Sequence, residues 1–140
     1  MAQRTSRRRS SGGASPRGGE RPAVAVGHVF LAATDIAAAA RWLETVGLRP
    51  IGASDKVAVL ELRGGTHVVV LAAERLPRKG DAAPFDLMVD DLEAARRDYA
   101  AKGLKPSRIT RGTIHDSFRL PGPDGYAFTV VSSHAGDRVV

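Results

Sequence analysis

Four histidines, His28, His67, His115 and His134, are the side chains of this 140-residue chain best suited to chemistry at neutral pH. An imidazole can hold a divalent metal, move a proton or hydrogen-bond a ligand, and its neighbours decide which. The chain has no cysteine. That removes disulfides, thiolate metal sites and cysteine nucleophiles, and suits a cytoplasmic protein. A metal would need His together with Asp or Glu. His115, Asp116 and Ser117 supply the letters of a nucleophilic triad. Adjacent strand residues alternate faces, however, so Asp116 cannot orient His115 from there. No glycine-rich loop follows a strand and opens a helix. GGTH and GPDG read as hairpin turns, not as anion cradles.

The elements that must position these residues come twice. GLRP at Gly47–Pro50 returns as GLKP at Gly103–Pro106, an offset of 56 positions. The same offset carries Leu31 to Leu87, Asp35 to Asp91, Ile36 to Leu92, Ala39 to Ala95 and Arg41 to Arg97 without a gap. This is a tandem duplication. Each copy opens with an apolar run of strand length, 24–33 and 84–89. Thr34–Asp35 and Asp90–Asp91 then offer N-caps. Helices are expected over 35–46 and 91–102. Ile36, Ala39, Ala40 and Leu43 share one face of the first; Leu92, Ala95 and Tyr99 share one face of the second. Gly47 and Gly103 stand where a left-handed C-cap is needed.

Three strands are expected after each helix. They fall near 48–53, 57–62 and 66–72 in the first copy, and near 104–110, 113–120 and 126–132 in the second. Arg63-Gly64-Gly65 and Pro121-Gly122-Pro123-Asp124-Gly125 make the hairpin turns. The charged linker at 74–83 breaks regular structure. VVVLAA is apolar on both faces, so both faces of its sheet need cover. The expected fold class is α+β: two tandem βαβββ modules, about 24–73 and 84–134, forming a curved mixed sheet around a cleft with helices on the outer face.

GHVFLAATDIAAAARWLETVGL and the hairpin GPDGYAFTVV, within a doubled βαβββ order over about residues 24–134, resemble the vicinal oxygen chelate superfamily. This group includes glyoxalase I, extradiol dioxygenases, and fosfomycin- and bleomycin-resistance proteins. The resemblance implies four metal-ligand positions, on the first and last strand of each module. Here they fall on His28, on its repeat partner Pro84, near Val70 and near Thr129. Only His28 can ligate. If Val70 faces the cleft, Val68 and Thr66 do too, and His67 is a surface group. If His28 faces it, so do Phe30 and Ala32. His115, Ser117 and Arg119 share a face, like Val57, Val59 and Glu61 in the first module.

The functional expectation is a metal-independent small-molecule binder of the bleomycin-resistance type, a homodimer with no required cofactor. His28, Phe30, Glu61, Val68, Val70, His115, Ser117 and Thr129 form its ligand-binding set. One alternative is a glyoxalase- or dioxygenase-like enzyme with a divalent metal on a shifted set, His28, Glu61 and His115. Another is a nucleic-acid accessory protein using the N-terminal residues. Residues 1–22 hold Arg4, Arg7, Arg8, Arg9, Arg17 and Arg21 against Glu20 alone. The other 118 positions hold 15 basic and 14 acidic residues. The net charge of +6 therefore belongs to a tail too poor in apolar residues to order itself. A neutral domain and a tail without aromatics disfavour nucleic acid. Residues 135–140 read as a short C-terminal tail. No apolar run reaches the roughly 18–20 residues of a membrane span.

Overall fold

The computed structural model describes residues 21–75, 77–136 and 138. The expected tail at 1–22 lies outside them except for Arg21 and Pro22. The first module runs β1 (His28–Ala33), α1 (Ile36–Val46), β2 (Arg49–Ala53), β3 (Val57–Glu61) and β4 (His67–Ala72). The second runs β5 (Leu87–Val89), α2 (Leu92–Ala101), β6 (Ser117–Pro121) and β7 (Ala127–Ser132). β1-β4-β3-β2 form one sheet and β5-β7-β6 another. β1 runs parallel to β4, and β5 to β7; the other pairs are antiparallel.

Local chemistry builds the helices where the sequence places them. The Asp35 carboxylate accepts from Ala38 N–H at 2.8 Å, and Asp91 accepts from Ala94 N–H at 2.9 Å. Each satisfies a donor that the first helical turn would leave orphaned. Gly47 closes α1 at φ 118, and its N–H reaches back to Glu44 and Leu43 carbonyls. Ile36, Ala39, Ala40, Leu43 and Val46 are buried against the first sheet.

The second sheet is one strand short of expectation. Segment 104–110 does not form a strand; Thr110 alone bridges to Ser117. Lys105 takes a left-handed conformation, φ 57, which interrupts the pleat. Pro106 has no N–H to donate. Ser107 then fastens the segment to β6: its N–H donates to Arg119 O and its Oγ accepts from Arg119 N–H, both at 2.8 Å. A side-chain hydroxyl here replaces a backbone acceptor. Pro50, the repeat partner of Pro106, is accommodated in β2 by a register shift between Pro50 and Gly52.

The two modules share one core through their helix-bearing sides. Trp42 of α1 lies 4.7 Å, ring centre to ring centre, from Phe128 of β7. Tyr99 of α2 donates its hydroxyl to Val46 O, at the end of α1, at 2.8 Å. The hairpins make reciprocal contacts. Thr34 donates its N–H, at 2.9 Å, and its hydroxyl to the Asp124 carboxylate in the second hairpin. Arg63 in the first hairpin donates to Asp90 at 2.8 Å. Thr34 and Asp90 are repeat partners, so each hairpin holds the start of the other module's helix. The opposite face of each sheet turns away from this core, and among the described residues β1 and β5 each keep one edge unpaired.

Candidate functional site

Strand alternation assigns the outward residues. On β1, Leu31 and Ala33 are buried while His28 and Phe30 are exposed. On β4, Val68 and Val70 are wholly buried, which corrects their expected place on the ligand wall. The outward residues of β4 are His67, Val69 and Leu71. His67 is therefore no isolated surface group. Register sets it beside His28 across the β1–β4 pair and opposite Glu61 across β3–β4. The turn at Arg63–Gly65 sets the pairing of His67 with Glu61.

The first outer face thus gathers an apolar wall and a polar end. Phe30, Val59, Val69 and Leu71 form the wall. The rings of His28 and His67 are 5.7 Å apart, and His67 Nε2 lies 3.6 Å from Glu61 Oε1. Arg49 donates to the other Glu61 oxygen. This hydrogen bond, more than the nearby charges, holds the Glu61 carboxyl below its usual range and outweighs the opposing effect of burial. Sequence reasoning missed Arg49 and His67.

The lowered Glu61 value has a testable sign. A carboxylate with a depressed folded pKa stabilises the fold above its unfolded value of about 4.3, and that contribution fades as pH falls through the folded value. The expected NMR titration midpoint of the Glu61 carboxyl carbon is below about 4.3. Glu61→Gln should flatten the acid limb of the stability profile. A midpoint at or above that value would show that Arg49 does not hold the carboxylate.

The second outer face carries Ser117, Arg119 and Thr129, with Val131 buried beside them; Arg119 pairs across from Thr129 and Ser117 from Val131. Ser117 and Thr129 are half-buried. A hollow of about 420 Å³ runs from the 82–86 segment past His115, Ala127, Thr129 and Val131. The Nδ1 atom of His115 is buried without a hydrogen-bond partner among the described residues. Its ring stacks on His134 at 6.0 Å. Asp116 turns away to Arg111, which also binds Glu93, so no triad forms. Within one chain the shifted metal set does not come together. His28 and Glu61 lie on the first module and His115 on the second, and no three His, Asp or Glu groups among the described residues gather as a metal requires.

No protein-family model and no curated sequence matches the chain. Solved structures do. A lactoylglutathione lyase from Agrobacterium tumefaciens superposes with a TM-score of 0.64 at 17% identity, over 83% of this chain and 98% of that one. A glyoxalase/bleomycin resistance protein/dioxygenase from Alicyclobacillus acidocaldarius gives 0.64 at 18%, over 81% and 94%. The oxidase ChaP-H2 gives 0.64 at 17%, over 80% and 95%. At these identities the likeness establishes the fold: the chain has the vicinal oxygen chelate fold.

A divalent metal is the group this fold implies, and the donor set here does not fit one. The position near Val70 is taken on the outward side by Val69, a hydrocarbon. Pro84 offers no side-chain lone pair, and Thr129 only a neutral hydroxyl. His28 alone remains, where catalytic sites use about three protein ligands.

Proposed function

We propose that the chain binds a small organic molecule without a metal, in the manner expected of a bleomycin-resistance-type binder in the cytoplasm. Val69, Pro84 and Thr129 at three of the four implied ligand positions carry this reading. In place of a metal, the first outer face offers His28 and His67 beside an apolar wall. The second offers Ser117, Thr129 and the unpartnered His115 Nδ1 above its hollow. Two copies complete the pocket, the first face of one chain against the second face of another. Phe30 at 57% exposed, Leu71 at 40% and Met88 at 41% favour such cover, as do the unpaired edges of β1 and β5.

The test equilibrates purified protein with Ni, Zn, Mn or Fe(II), desalts it and measures bound metal. The expected content is far below one ion per chain. A panel of apolar metabolites and antibiotics is then screened by thermal shift, with sedimentation reporting a dimer. A hit should weaken on His28→Ala. One ion per chain, lost in His28→Ala, would overturn the reading in favour of a metal-dependent lyase or dioxygenase.

A further inference from the structure

Three cations without acidic partners surround a second hollow. Lys79 comes from the linker, Lys105 from the segment beside β6, and Arg119 from β6 itself. Together they line a space of about 320 Å³ whose apolar side includes Pro121 and Tyr126. None of the three forms an ion pair among the described residues, a trait shared with exposed cations such as Arg41 and Arg97; what sets these three apart is that they line one hollow. The chain beyond its first 22 residues is almost charge-neutral, so three cations around one hollow are a local feature and not an overflow of basic composition. Asp81 and Asp124 bring negative charge near Tyr126, but neither pairs with the three cations: Asp81 accepts from Arg78 N–H, and Asp124 from Thr34.

The backbone fixes all three cations relative to one another. Gly80 N–H donates to Gly125 O at 2.6 Å. A Cβ on Gly125 would come within 3.0 Å of Lys79 Cα, and its φ of 77 favours glycine. The linker can therefore lie against the hairpin. Lys105 is held left-handed, and Ser107 ties its segment to Arg119 through two hydrogen bonds.

We infer that this hollow, between Lys79, Lys105, Arg119 and the floor of Pro121 and Tyr126, is a binding site for a small organic anion with an apolar body, of the aryl phosphate or aryl carboxylate class. The guanidinium matches a phosphate or carboxylate with two parallel donors, and the ammonium groups add charge without fixed geometry. The volume is at the lower end of ligand pockets, roughly 300 Å³. The inference needs neither metal-free binding at His28 nor a second copy of the chain.

The test titrates phenyl phosphate into the ¹⁵N-labelled full chain at low salt. Saturable amide shifts are expected at 79–80, 105, 107, 119 and 126–127. Arg119→Gln and Lys105→Gln should each weaken binding about tenfold, the worth of one charge-assisted hydrogen bond. Arg41→Gln, an equal charge change on α1, should leave it unaltered. Inorganic phosphate should bind more weakly than phenyl phosphate, because it leaves the apolar floor unused. The inference is overturned if shifts do not saturate by about 10 mM, well above ordinary ligand affinities. An equal loss in Arg41→Gln, phosphate binding as tightly as its phenyl ester, or binding of single-stranded RNA but not phenyl phosphate would each overturn it too. Unchanged melting temperatures separate lost binding from lost folding, since all three substituted cations are exposed.

Discussion

Phe128→Ala is expected to remove roughly 3–5 kcal/mol of folding stability, the usual cost of deleting a fully buried aromatic ring. Phe128 is 0% exposed. Its ring is met by Trp42 at 4.7 Å, Phe85 at 5.5 Å and Tyr126 at 6.4 Å. Trp42 belongs to the first module and the others to the second, so the cavity would open at the joint between them. The whole domain is held by about 5–15 kcal/mol, and one ring therefore accounts for a large share. Urea unfolding should show a single transition at a much lower midpoint with a similar slope. A loss under about 1 kcal/mol would mean that the joint collapses around the deletion, contrary to a tightly shared core.

Gly122→Ala should destabilise by about 1–3 kcal/mol, although it adds only a methyl group. A Cβ at Gly122 would lie 2.6 Å from two carbons of the Phe128 ring. The backbone there is ordinary, φ −113 and ψ −170, so the cost is steric and not conformational. The ring cannot retreat, because Trp42, Phe85 and Tyr126 pack around it. The double variant Gly122→Ala/Phe128→Ala separates the two effects. The added methyl should cost much less once the ring is gone, a coupling visible in a double-mutant cycle. Additive losses would show that Gly122 matters for another reason.

The candidate site was only half legible in the sequence. His28 and Phe30 share an outward face as strand alternation predicts, and Glu61 joins them through β3. The wall on β4 was misassigned by one residue. Because the side-chain period of a strand is two, an error of one moves every residue to the other face. Val68 and Val70 thus lie in the core, and His67 and Val69 take the outward places. The run HVVVLA is apolar enough to satisfy either register, and only its pairing with β3 chooses. Within one chain His115 does not join His28 and Glu61, for another reason. Face parity says which residues share a strand face, but not where one module's face points relative to the other's.

What the sequence determined by itself is the doubled module, both helices and their caps, and the hairpin turns. These rest on contacts within a few residues: Asp35 to Ala38, Asp91 to Ala94, Gly47 to Glu44 and Leu43. Such contacts are written in local spacing, and the repeat states them twice. Tertiary structure decided the rest. It set the facing of β4, and it replaced a strand at 104–110 with a left-handed lysine and a serine tether. It joined the modules through Trp42 and Phe128, and it brought Lys79, Lys105 and Arg119 around one hollow. Each of these depends on groups distant in sequence meeting in space. A ring seeking burial or a charge seeking a partner has many acceptable choices along the chain, and only the packed core selects among them.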